Sequence, residues 1–275
     1  MKRSSLGDSF AAFVNHPKQI GTIFLFHLLF VAVIVVLNKL IASFFPNDQV
    51  QFQALLRSLQ PYFIFLMLGM VAYVLVSIFI YSFFKYCIMD SISELSECHE
   101  GKKARWTEFG FSRLGSFFGL NLLIILIFSA LLAFFSFLFI MSVRVEYIVL
   151  IRNSLLLLIG ILAYFFIGVG HSFFFHGCCA RRSMVKTYRL CVEKAGRLIP
   201  LLLTTIVSAG ALWMLYLGVD WLLIRLFGKI SGTITAFTAY QIATVIVAFL
   251  LAVLLLTFNQ VYFFRIVARE EQKVY

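Results

Sequence analysis

The sequence predicts an all-α, polytopic membrane protein: six transmembrane helices in three hairpins, joined by interfacial amphipathic segments, with both termini cytoplasmic. Three observations carry this expectation. Hydrophobic residues make up 62% of the chain and charged ones only 13%, whereas a water-soluble domain carries about a quarter charged residues. Six apolar runs match or approach the roughly 20 residues that a helix needs to cross a hydrocarbon layer about 30 Å thick. Lys and Arg, finally, are shared unequally between the two sets of connections, and they are retained on the cytoplasmic side.

The first run, 20–37, follows "SFAAFVNHPKQIG", and the second, 62–84, leaves through "YSFFKYC". The third, 115–141, is preceded by "TEFGFSRLGSFFG" and is long enough to tilt or to reach the headgroups. The fourth, 147–176, is interrupted early by Arg152 and Asn153 and leaves through "HSFFFHGCC". The fifth, 198–223, follows "TYRLCVEKAGRLIP", and the sixth, 236–264, runs into "NQVYFFRI". None alternates apolar with polar residues, so these are helices with internally closed hydrogen bonding rather than strands of a barrel. Each approach combines apolar anchors, a basic residue near its end, and Gly or Pro where the helix begins, which suits the interfacial plane. The three exits are alike as well, a weak threefold repeat of about 90 residues. Duplication, or the common demand for aromatic belts at interfaces, produces such a pattern. The whole chain, 1–275, reads as one integral membrane domain. "MKRSS" has the charge of a signal-peptide start, but the apolar run begins only near residue 20 without a small-residue cleavage site, so the segment is expected to be retained.

Of the 23 basic residues, 17 fall in the N-terminus, in 85–113, in 181–197 and in the tail; the other face holds Lys39, Arg57, Arg144, Arg152, Arg225 and Lys229. The net charge of +11 therefore points to anionic lipid headgroups as partners of the cytoplasmic segments. Nucleic acid is excluded as a partner, because no soluble stretch is long enough for a reading domain and the basic residues are divided as topology alone requires. Cys87, Cys98, Cys178, Cys179 and Cys191 all fall on the cytoplasmic side, where thiols stay reduced. Their odd number and the lack of a CxxC pair argue against a disulfide framework or zinc ribbon. A metal held by Cys98, His99, His176, Cys178 and Cys179 is the competing reading, weakened because adjacent cysteines chelate poorly. No metal and no cofactor is expected.

Counting about six or seven residues inward from the cytoplasmic ends places polar residues of all six helices at one depth, roughly 10 Å into the membrane. They are His27, Tyr81 with Ser82, Asn121, His171 with Ser172, Thr204 with Thr205, and Asn259 with Gln260. Such side chains are costly against lipid tails and should turn inward. They either line a binding pocket open toward the cytoplasm or act as glue between helices. His27 and His171 also invite a two-histidine haem reading, which needs both rings to face one gap. Near the far face, Arg152 and Asp220 match in depth and form a candidate intramembrane ion pair; snorkelling of Arg152 is the alternative.

Catalysis is not expected. Of the 12 acidic residues only Asp220 falls inside a run, and no HExxH, GxSxG, P-loop or paired-carboxylate arrangement is present. The stretches "FVNHPKQIGTIFLFHLLF", "GKKARWTEFGFSRLGSFFGLNLLIILI", "SMVKTYRLCVEKAGRLIPLLL" and "NQVYFFRIVARE" resemble the YciC-like six-helix bacterial inner-membrane proteins and the membrane portion of some glycerophosphoryl diester phosphodiesterases. That resemblance implies the six-helix fold and the bacterial inner membrane, but no activity. Two functions follow as expectations. The first is a non-enzymatic binding or accessory subunit that meets lipids or a membrane protein complex, favoured by the lack of helices broken by Gly or Pro at mid-membrane. The second is a small permease or amphiphile-handling transporter that uses the polar layer as its site.

Overall fold

The computed structural model describes residues 5–44, 60–99, 110–142, 145–193, 196, 198–228 and 234–271, and these are helical almost throughout. Eight α-helices follow in order: α1 (Ser5–Asn15), α2 (Pro17–Ala42), α3 (Phe63–His99), α4 (Phe111–Ser142), α5 (Val145–Phe175), α6 (Ala180–Tyr188), α7 (Ile199–Gly228) and α8 (Ile234–Glu271). Six of them, α2, α3, α4, α5, α7 and α8, are long and apolar enough to cross a membrane. The basic residues 2, 3, 57, 102, 103, 105, 144, 194, 197, 229 and 273 lie outside the described residues.

The helix limits follow local chemistry. Pro17 begins α2 in its first turn, where the missing N–H is one of the donors a helix start leaves unpaired anyway. α5 ends in a Schellman motif: Gly177 takes φ +89°, its N–H donates to the Phe174 carbonyl at 3.1 Å, and the Cys178 N–H reaches the Phe173 carbonyl at 3.2 Å. "HSFFFHGCCARR" is thus the place where a helix stops and the chain turns into α6. A π-turn over Arg189–Glu193 follows.

One end of the bundle is packed and the other is splayed. The main apolar cluster joins Ile23 of α2, Ile88, Met89, Ile92 and Leu95 of α3, Leu114, Phe117, Leu120 and Ile124 of α4, Phe174 and Phe175 of α5, and Val261 and Phe264 of α8. The beginnings of α2 and α4 therefore meet the ends of α3, α5 and α8. We call this the basic end, since Arg113, α6 and Arg269 belong to it. Rings dominate it: Phe117 lies 5.2 Å from Phe174 and Tyr86 lies 5.1 Å from Phe175, centroid to centroid, and the Arg113 guanidinium sits 5.5 Å over Phe175. Toward the other end Val36, Leu68, Phe134, Leu157 and Val245 are each more than half exposed. Apolar surface of that extent is covered by hydrocarbon in a membrane protein. α7 packs chiefly on α8.

Two expectations about limits are corrected. α3 does not end near residue 84: it continues to His99, and Lys85, placed by sequence in a connection, is buried in the bundle at 9% exposure. Beyond it Met89, Ile92 and Leu95 carry the buried stripe of Ile78 and Ser82 onward at helical spacing, and neighbouring helices cover it. α8 likewise continues past residue 264 to Glu271, whose carboxylate accepts a bond from Lys186 of α6 at 2.5 Å. Burial works against the Lys186 charge, but the Glu271 carboxylate prevails and raises its pKa above the ordinary lysine value.

α8 crowds α5 at Gly168, where a Cβ would stand 2.6 Å from the Phe263 ring. Tyr164 and Phe165 hold that ring in edge contacts at 5.7 Å. Gly168→Ala is expected to destabilise the protein by about 1–3 kcal/mol through overpacking, although alanine is the better helix former. Unfolding in mild detergent measures the loss, and Phe263→Leu in the same chain should recover part of it.

Candidate functional site: a polar layer and its cavity

The polar residues gathered by depth separate into bonded networks and an open cavity. The first network crosses α5, α4 and α3. Asn121 Nδ2 donates to Ser82 Oγ at 3.0 Å, and Ser82 Oγ donates to the Ile78 carbonyl at 2.7 Å. That orientation of the amide leaves Asn121 Oδ1 facing His171 Nε2 at 2.6 Å. The proton therefore sits on Nε2, which donates. His171, Ser82 and Asn121 are all buried, and Phe117 lies 4.7 Å and Tyr81 6.5 Å from the imidazole. Among the described residues His171 Nδ1 has no partner.

The second network ties α5, α8 and α7. Asn259 Nδ2 donates to the Tyr164 hydroxyl at 2.8 Å, and Asn259 Oδ1 accepts from Thr205 at 3.4 Å. Ser172 and Thr204 turn back on their own helices, bonding the Gly168 and Pro200 carbonyls. Short hydroxyl side chains in a helix reach the carbonyl four residues earlier more readily than a neighbouring helix. Of the pair Thr204 and Thr205, Thr205 is the one that bonds to a neighbouring helix.

His27, Tyr81 and Gln260 instead border a cavity of about 220 Å³ between α2, α3, α5 and α8. Lys85 joins them, together with Tyr164, Gly168 and an apolar wall that includes Phe30, Phe84 and Leu256. His27 Nε2 and Gln260 Oε1 are buried without partners among the described residues. Ile88 and Phe263, both at most 2% exposed, close the cavity toward the basic end, while Leu256 at the opposite lip is 38% exposed. The cavity thus opens away from the basic end, the end that the sequence leads one to expect on the cytoplasmic side. The packed core lies on its other side. A second cleft of about 340 Å³, between α7 and α8, is lined by Trp213, Tyr216 and apolar side chains.

The remaining candidates come apart. His171 is engaged by Asn121 and does not line the cavity that His27 borders, so the two imidazoles do not face one gap. Arg152 and Asp220 are not joined: Arg152 is exposed, and the Asp220 carboxylate accepts from the Tyr240 hydroxyl at 2.5 Å. The reason is that α7 packs on α8 rather than on α5. A similar tie at the far end of α2 and α3, Tyr73 donating to Asn38 at 2.6 Å, went unread in the sequence because tyrosines near an interface need no partner. Among the described residues no three His, Cys, Asp or Glu side chains gather as metal ligands; the side chains of Cys98 and His99 lie outside them. Compared with known protein families, with curated proteins and with solved structures, the chain matches none.

Truncating either partner of the His171–Asn121 bond leaves a buried polar group alone, at a cost of about 1–3 kcal/mol. His171→Leu and Asn121→Leu should each lower stability in detergent by about that amount, and the double variant by clearly less than the sum. Strict additivity in that cycle would show that the bond contributes nothing.

Proposed function

We propose that this chain is a non-enzymatic integral membrane protein that holds an amphiphile in the cavity between α2, α3, α5 and α8. In this reading the chain lies in a bacterial inner membrane as three hairpins, with the basic end and both termini cytoplasmic, as in the YciC-like proteins it resembles. The cavity is the observation that carries the reading. Four helices contribute to it, it sits at the depth of the polar layer, and its few unpartnered polar groups stand among apolar walls, the composition of small-molecule sites. Its lip faces the splayed half, so a bound chain continues into hydrocarbon.

An accessory role draws on other features. Arg181, Arg182 and Arg189 are exposed on and beside α6, where they meet anionic headgroups. α7 presents Val207, Trp213 and Met214 outward to lipid or to a membrane protein complex. These contacts anchor the molecule, whereas the cavity supplies a specific ligand site.

Leu256→Trp, which fills the lip, is expected to remove most of the amphiphile that co-purifies in mild detergent, as read by mass spectrometry of extracted lipid from monodisperse protein. An unchanged lipid profile refutes the cavity as the site. Sidedness is read with a variant retaining only Cys179 and Cys191. Cys179 is exposed at the start of α6, and the Cys191 thiol, pushed up to about 12 by burial, stays inert near neutral pH. A membrane-impermeant maleimide should modify Cys179 in inverted vesicles only. Modification in intact cells reverses the orientation.

A further inference from the structure

Lys85 narrows what the cavity holds. Its side chain is buried in the cavity wall, and among the described residues no carboxylate, hydrogen-bond acceptor or aromatic face engages its ammonium. An uncompensated charge in a low-dielectric interior is strongly unfavourable, and ionisable groups inside a membrane mark ligand or ion paths. The unpartnered His27 Nε2 and Gln260 Oε1 border the same space. The cavity therefore presents one amine, which a bound anion would hold in its charged form, an imidazole edge at His27 and a carbonyl acceptor at Gln260, against phenylalanine and leucine.

Size and charge select the ligand. A volume of about 220 Å³ takes a headgroup and the first carbons of a chain, the remainder passing the open lip into hydrocarbon. A phosphate monoester carries about −1.5 to −2 charges, and among the described residues no second Lys or Arg borders the cavity. A carboxylate balances the single ammonium. We propose that the cavity binds the carboxylate of a single-chain fatty acid, with Lys85 as counter-ion, His27 donating from Nε2, and the chain leaving past Phe30 and Leu256. This rests on the cavity being the amphiphile site, and adds the charge of its occupant.

The test compares palmitate, hexadecanol and lysophosphatidate binding to the purified full-length protein, with Lys85→Met and Lys85→Arg alongside. The wild type should bind palmitate at least about tenfold more tightly than hexadecanol, the worth of one charge-assisted hydrogen bond. Lys85→Met should abolish that preference while still binding hexadecanol, and Lys85→Arg should keep it. Equal binding of acid and alcohol by the wild type, a preference that survives in Lys85→Met, or tighter binding of lysophosphatidate overturns the proposal. If Lys85→Met does not purify, the wild-type comparison alone decides. Leu256→Trp separates the two levels: it abolishes binding of all three probes when the cavity is the site, and leaves them unchanged when that underlying reading is wrong.

Discussion

A polar group surrounded by hydrocarbon has to find its partner inside the protein, and this requirement organises the basic half of the molecule. Six helices long and apolar enough to cross a membrane have little hydrophobic reason to attract one another in lipid, so dispersion contacts and interhelical hydrogen bonds hold them together. The His171, Asn121 and Ser82 series ties α5, α4 and α3, and the Asn259, Tyr164 and Thr205 group ties α5, α8 and α7. Both stand among or directly beside the packed rings, where water cannot substitute for a missing partner. His27, Lys85 and Gln260 have an empty volume before them instead of a partner. The division between adhesive and site is therefore one of satisfaction: equally polar residues at one depth have different roles because some are bonded.

Packing is graded along the bundle, with consequences for order and access. At the basic end, interlocked phenylalanines, Arg113 over their faces and the Lys186–Glu271 contact make a closed floor. Away from it the helices separate, and α2, α3, α4, α5 and α8 turn leucine and valine outward. The cavity lies at the transition. Gly168 helps to place it there, since the missing Cβ lets the Phe263 ring lie against α5 as part of the floor.

Much of this was legible in the residues. The amphipathic approach before the first run folds as α1, and "HSFFFHGCC" ends a helix as read. Depth counting brought Ser82, Asn121, His171 and Asn259 to one level, and they bond there. Other features were not legible for identifiable reasons. Lys85 was assigned to a connection because a charge after an apolar run usually marks the water boundary, although Met89, Ile92 and Leu95 continued the helical stripe beyond it. The Arg152 and Asp220 pairing was drawn from equal depth, which carries no information about which helices are neighbours; the Tyr240 hydroxyl lies beside Asp220 instead.

Taken by itself, the sequence determined the class and the number of long apolar helices, because hydrophobic run length and helical rise are properties of the chain read along one dimension. Only the tertiary structure decided which polar groups satisfy one another, that Lys85 lies within the bundle, and that the cavity is closed toward the basic end. Those outcomes depend on the rotation of each helix about its axis and on its neighbours, and side chains from segments far apart in the chain set both.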